Sequence, residues 1–223
     1  MRILHCSDFH GHIPWFHWLR EVARQYDLVC LTGDLIDLFS KASPDEQLTR
    51  ISETLRGIET PLAICSGNHD LPDASTGMGW MRTLLPAQLY ADGNVFTMKG
   101  YTFRCIGWQE SFPMAVDATE VWLAHAPPDE CATSQAREVL DYGSFDLGEV
   151  CRSGMGPRLI LSGHIHNPLK WHARIERTWS FNPGVGTSRD HPNVIELNLE
   201  RKIAIHTHQT TRGPIASNPL KLI

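Results

Sequence analysis

An α/β fold is predicted by three observations. The first third of the chain alternates strand-like and helix-like patterns, and each of its apolar runs ends in a polar cluster. The last third is rich in short strand-like runs. Alternation of this kind implies a parallel sheet with right-handed crossovers, and 223 residues suffice for one large domain with a sizeable core.

Taken in order, residues 2–6 read as a short buried strand ending in Asp8-Phe9-His10-Gly11-His12. Alternate residues of an extended chain face one side, so Asp8 and His10 can converge on one point. Pro14 suits the first turn of a helix. Trp15, Trp18, Leu19 and Val22 follow at helical spacing, so both tryptophans read as core. Leu28 to Leu31 is a second strand, leading to Thr32-Gly33-Asp34-Leu35-Ile36-Asp37. Ser43, Pro44 and Glu46 form a capping-box pattern, and Leu48, Ile51 and Leu55 mark the buried stripe of the helix it opens. Pro61 to Cys65 is a third strand, stopping at Ser66 and the stretch Gly67-Asn68-His69-Asp70. Ligands of open α/β sheets bind beyond the carboxyl ends of strands, which is where these three clusters fall.

Residues 77–85 read as a short helix, and Val95 to Met98 and Tyr101 to Gly107 as strands joined by a Lys99-Gly100 hairpin turn. Val121 to Ala124 is a further apolar run ending in His125-Ala126-Pro127-Pro128. The stretch from Thr133 to Asp146 reads as loop with some helix, and Phe145 to Arg152 as helix. Leu159 to Leu161 leads into Ser162-Gly163-His164-Ile165-His166. Trp171 to Ile175, Thr178 to Phe181, Val194 to Leu199 and Ile203 to His206 are the closing strands. A domain over residues 1–208 is expected, with 209–223 an extended tail. Leu220 and Leu222-Ile223 are expected to pack that tail on its own domain, with a homodimer contact as the alternative.

Bulk numbers narrow the function. Hydrophobic residues at 42% and charged residues at 20% describe a globular chain rather than a disordered one. A formal net charge of −5 lacks the global basic footprint of a nucleic-acid or anionic-membrane binder. No apolar run approaches the length that crosses a bilayer. The N-terminus lacks a signal peptide's apolar region and cleavage site, so a cytoplasmic location is expected. Six cysteines show no C-x-x-C spacing, and those in apolar runs (Cys6, Cys30, Cys65 and Cys105) read as small buried hydrophobes.

The strand-end clusters assemble Asp8, His10, Asp34, Asn68, His125, His164 and His166. Two carboxylates, an amide and four imidazoles, with no thiolate, suit Mn, Fe, Zn, Ni or Co. Seven donors exceed the demand of one such ion and fit two ions sharing a carboxylate. A lone Asp-x-His, a lone Gly-Asp or a lone His after an apolar run is usually structural. Five such elements in order, each after a strand, are not explained that way.

Through these motifs the chain resembles the calcineurin-like metallophosphoesterase superfamily, in particular its small prokaryotic members. The resemblance rests on Asp8-Phe9-His10, Gly33-Asp34-Leu35-Ile36-Asp37, Gly67-Asn68-His69-Asp70, His125 and Gly163-His164-Ile165-His166. It implies a four-layer α/β-β-α sandwich of two mixed sheets flanked by helices. It also implies that Asp8, His10 and His166 hold one divalent transition-metal ion, that Asn68, His125 and His164 hold a second, and that Asp34 bridges both. Manganese is the first choice, with Fe, Zn, Ni or Co sharing the ligand preference. His69 would face the substrate with Asp37 as its orienting partner, and Asp70 would fix the loop.

The expected reaction is hydrolysis of a phosphate ester by in-line attack of a metal-bridging hydroxide, with His69 stabilising or protonating the leaving alkoxide. A phosphodiester is the first choice of substrate, a phosphomonoester the rival, and a nucleic acid third because of the charge. A non-catalytic scaffold on the same fold is the alternative of another class, opposed by the full set of ligands with His69. His5 reads as structural, and His206 and His208 as surface. His12 reads as exposed or one shell removed, with contact to a substrate phosphate as the alternative. Trp108 reads as core or rim packing, with roofing the site or stacking on a base as the alternative. Asn182-Pro183-Gly184 reads as support for the Gly163–His166 loop.

Overall fold

The computed structural model describes residues 1–70, 81, 84, 88–113, 120–136 and 140–222. The three apolar runs of the first third are strands β1 (Arg2–Cys6), β2 (Leu28–Thr32) and β3 (Leu62–Cys65), side by side and parallel. Helix α1 (Ile13–Val22) has Pro14 in its first turn and buries Trp15, Phe16 and Leu19; a 3-10 turn at Ala23–Gln25 follows. Helix α2 (Pro44–Leu55) opens on the expected capping box: Ser43 Oγ accepts from the Glu46 N–H at 3.3 Å, and the Glu46 carboxylate accepts from the Ser43 N–H at 2.9 Å.

Strand β4 (Leu89–Tyr90) adds to β3. Strands β5 (Val95–Met98) and β6 (Tyr101–Ile106) form a hairpin whose Lys99 and Gly100 both have positive φ, 50° and 83°, the backbone a tight two-residue turn demands. After β7 (Val121–Ala124) come α3 (Phe145–Arg152), β8 (Leu159–Leu161), β9 (His172–Ile175) and β10 (Thr178–Phe181). The chain closes with β11 (Val194–Asn198), β12 (Ile203–Thr210), β13 (Gly213–Ala216) and β14 (Leu220–Lys221).

One sheet runs β13-β12-β11-β1-β2-β3-β4, with β14 also on β12; the other runs β5-β6-β7-β8-β10-β9. Both are mixed: β1 to β4 are parallel and meet β11 antiparallel, while β6, β7, β8 and β10 are parallel and carry antiparallel β5 and β9 at the edges. Strand alternation sorts the core into layers. Ile3 faces a cluster with Phe103, Val121, Leu161 and Phe181 between the sheets, whereas Leu4 and Cys6 face Phe16, Leu19, Ile51 and Leu55 of α1 and α2. On the far side Leu147, Val150 and Cys151 of α3 cover Trp122 and Ile160. Helices, sheet, sheet and helix are thus stacked as the resemblance implied. All six cysteines are free and buried, and Trp15 is core.

One expectation is corrected. The segment from 209 on is not a tail: β12 runs through residue 210, β13 and β14 pair with it, and the buried Leu222 joins the inter-sheet core. The short helix expected over 77–85 lies, except for Met81 and Leu84, outside the described residues. Among the described residues no helix is long and apolar enough to cross a membrane.

Candidate metal centre

The carboxyl ends of β1, β2 and β3 from one sheet and of β7 and β8 from the other meet at one edge, where backbone hydrogen bonds stitch their loops together. The Asp8 N–H donates to the Gly33 carbonyl at 3.1 Å, the His10 N–H to the Asp34 carbonyl at 2.8 Å, and the Gly163 N–H to the His125 carbonyl at 2.8 Å. Asp8, His10, Asp34 and His164 all hold positive φ, 58°, 45°, 53° and 67°. That conformation costs a non-glycine residue free energy and concentrates at functional sites. At Gly163 the requirement is close approach: a Cβ there would collide with Ser7 Oγ and Asp8 Oδ2.

All seven expected donors come together. His10 Nε2 and His166 Nε2 lie 3.1 Å apart, and Asp8 Oδ1 is 3.4 Å from His166 Nε2 and 4.0 Å from His10 Nε2. Asp34 Oδ2 is 3.8 Å from His10 Nε2 on one side and 3.3 Å from His125 Nε2 on the other. Asn68 Oδ1 lies 3.1 Å from His125 Nε2, and the His164 ring lies 5.0 Å from that of His125. Asp34 is therefore central, flanked by His10 and His125. His125 Nδ1 faces the Thr32 carbonyl at 2.7 Å, which fixes a proton on Nδ1 and leaves Nε2 for the donor set.

His69 stands beside this ring. Its imidazole is 4.7 Å from that of His10, and its backbone N–H donates to Asp34 Oδ1 at 2.8 Å. His69 Nδ1 accepts from the Leu38 N–H at 3.3 Å, so the ring proton of neutral His69 sits on Nε2. Asp37 Oδ1 is 3.6 Å from Nδ1, beyond hydrogen-bond reach, and accepts from the Phe39 N–H at 2.8 Å. Asp37 thus shapes the loop that holds His69. Asp70 is fully buried and takes the N–H groups of Leu35, Ile36 and Gly67 at 2.8, 3.2 and 2.8 Å, locking the loop after β3 to the loop after β2. Burial, reinforced by the Asp34 charge, pushes its carboxyl up to about 7. Asn182 does the same for the loop after β8, donating to the carbonyls of Gly163 and Ile165 at 2.7 and 3.1 Å.

The electrostatics fit a divalent cation. Asp8 and Asp34 are buried, yet among the described residues their ion-pair partners are histidines alone. Burial opposes charge on both carboxylates, but the neighbouring imidazoles hold each below the usual range. Burial also opposes charge on His125, and Asp34 nevertheless raises it to about 9. His164, desolvated and beside His125, falls to about 4. Two buried carboxylates and a neutral imidazole, with oxygen and nitrogen atoms converging, are the donors hard and borderline divalent ions prefer. Three overlapping groups qualify by mutual distance: Asp8, His10 and His166; Asp8, Asp34 and His125; and His10, Asp34 and His69.

The calcineurin-like phosphoesterase family model matches residues 1–168. The chain belongs to that family. It is accordingly a metal-dependent phosphoric ester hydrolase of a family that uses divalent ions. No curated protein matches the sequence. Among solved structures, this phosphoesterase is similar to TT1561 of Thermus thermophilus, with a TM-score of 0.64 and 15% identity over 97% of this chain and 98% of that one. It is similar also to a novel archaeal phosphodiesterase (TM-score 0.55, 16% identity, 97% and 100% covered). A third is Yfce, a phosphoesterase from E. coli (0.52, 14%, 100% and 100%). At these identities the likeness is one of fold.

Two aromatic side chains of the phosphoesterase border the site, and one histidine is less exposed than the sequence implies. Trp108 has its ring 5.6 Å from both His125 and His164, and its backbone N–H donates to Ser66 Oγ. Phe39 lies 5.3 Å from the His69 ring and is 87% exposed. His206, expected at the surface, is half-buried, with Nε2 3.0 Å from the Pro183 carbonyl; burial lowers it to about 4. An aromatic residue two positions after the motif Asp37 was the available signal for Phe39, and a tryptophan directly after a strand-end glycine for Trp108.

Proposed function

We propose that this phosphoesterase hydrolyses phosphodiesters with two divalent transition-metal ions, manganese first among them. Asp8, His10 and His166 would hold one ion, Asn68, His125 and His164 the other, with Asp34 between. The observation that carries this reading is the central place of Asp34, whose Oδ2 is 3.8 Å from His10 and 3.3 Å from His125. When bound, the ions supply positive charge that acidifies water and offsets the charge of the phosphoryl oxygens.

The chain's own residues supply the rest. His69, with Nδ1 engaged by Leu38, presents Nε2–H toward the leaving oxygen of an ester seated over the donors. Asp34 Oδ1, accepting from the His69 N–H, ties that imidazole to the donor set. In-line attack by hydroxide, with no covalent intermediate, then places the leaving group on the His69 side. The singly charged diester is favoured because the site's carboxylates are paired only with histidines among the described residues. A dianionic monoester would call for additional fixed cations.

The test is hydrolysis of bis(p-nitrophenyl) phosphate and p-nitrophenyl phosphate by the metal-depleted protein reloaded separately with Mn, Fe, Zn, Ni and Co, with bound metal measured in parallel. Two ions per chain and higher kcat/KM on the diester are expected. Faster monoester turnover would reverse the substrate choice. A chain that takes up no metal would overturn the dinuclear reading.

A further inference from the structure

Next to the donor set, on the side away from His69, lies a cleft of about 410 Å³. That is within the size range of small-molecule sites. His69 packs against His10, whereas Trp108 packs against His125 and His164 at the other end of the donor set. The cleft is lined by Trp108 and His125, by the aromatic Phe112 and Tyr142, and by small residues such as Gly107 and Ala124. Tyr142 is 51% exposed, so its ring has area to cover a bound group. Among the described residues the charged side chains lining the cleft are Glu110 and Asp146, with no lysine or arginine.

These features select a ligand chemistry. An acidic rim without cations repels a second phosphate. Aromatic walls next to a tryptophan face accept a planar ring, and stacking tolerates many ring types. Carboxylates and the Ser144 and Tyr142 hydroxyls offer acceptors to a sugar hydroxyl or an exocyclic amine.

We propose that this cleft is the subsite for the organic group that stays on phosphorus, a planar, uncharged, nucleoside-sized alcohol, with Trp108 as its stacking wall. The inference rests on the phosphodiesterase reading above and names the substrate class of that site. The leaving group departs on the His69 side, so the group in the cleft remains esterified in the product.

The experiment compares two diesters with one leaving group: thymidine 5′-(p-nitrophenyl phosphate) and methyl p-nitrophenyl phosphate, both on the metal-loaded enzyme. Wild type is expected to prefer the thymidine ester by about tenfold or more in kcat/KM, as stacking one base provides. Trp108→Ala is expected to reduce that preference about tenfold, mainly through KM, with Trp108→Phe recovering part of it. Tyr142→Ala, remote from the donors, is expected to reduce it in the same direction. An unchanged preference in both alanine variants overturns the proposal, as does a gain in kcat/KM when a 3′-phosphate is added to the thymidine. If wild type cleaves neither ester with any metal, the phosphodiesterase reading fails on its own. Saturation-transfer NMR with thymidine on the metal-free protein then decides for the cleft: a signal lost in Trp108→Ala supports it, and no signal in wild type overturns it.

Discussion

The two ends of the donor set each carry two imidazoles, but these sit at different depths. The His125 side chain is 0% exposed, whereas those of His10 and His166 are 21% and 48% exposed. The difference follows from the fold. His125 directly ends β7, an interior strand flanked by β6 and β8, while His166 lies beyond the turn at Gly163 that leaves β8. One end is therefore part of the core and must keep its charges paired. At the other, Asp8 is buried but its two histidines reach the surface, where water replaces a lost partner. The site thus combines a built-in anchor with an open, exchangeable end.

That contrast sets an order of effects. Asp34→Asn touches both ends, so it should remove metal from both and lower kcat/KM by at least about 10³-fold. Full metal loading in the variant, measured by elemental analysis, would break the comparison at its centre. His125→Ala should take from the buried Asp34 its nearest ion-pair partner and destabilise the metal-free protein by about 3 kcal/mol, a Tm drop of roughly 6–12 °C by calorimetry. His69→Ala should keep its metal while kcat falls about 10²-fold or more on alkyl diesters and much less on p-nitrophenyl esters, which leave without a proton. Equal losses on both would remove the proton-donor role. His166→Ala is the mildest for stability, under about 1 kcal/mol, since Asp8 keeps the His164 N–H at 3.1 Å. Its effect should be confined to faster loss of one ion to a chelator, and a Tm drop matching that of His125→Ala would erase the distinction between the ends.

What could be read in the chain was local or repeated. The Ser43 capping box depends on residues three apart, and the three apolar runs each announce their own end. The donor motifs were legible because each follows a strand whose carboxyl end is the binding edge of such sheets. What escaped is nonlocal. Leu89–Tyr90 and Leu220–Lys221 are strands by virtue of β3 and β12 alone, since two residues carry no periodicity. Gly213–Ala216, with Gly and Pro, reads as loop until an edge position makes a proline tolerable. His206 has the spacing of a surface strand residue, and it is covered by two distant segments, the Asn182–Gly184 loop and Trp171. The proximity of Asp37 to His69 was implied by the motif, whereas the engagement of Nδ1 by Leu38 depends on a loop conformation that no spacing encodes.

The seven donors also divide between the two sheets: Asp8, His10, Asp34 and Asn68 follow strands of one, and His125, His164 and His166 follow strands of the other. Each proposed ion would therefore be a rivet across the sandwich. Sliding of one sheet against the other would change the spacing of the donors, and the shear stiffness of the inter-sheet core around Phe103, Leu161 and Phe181 would set how constant that spacing is. A cation bound by the folded chain alone also adds to its resistance to unfolding. The same contacts that tune catalysis would then govern how long the sandwich stays closed.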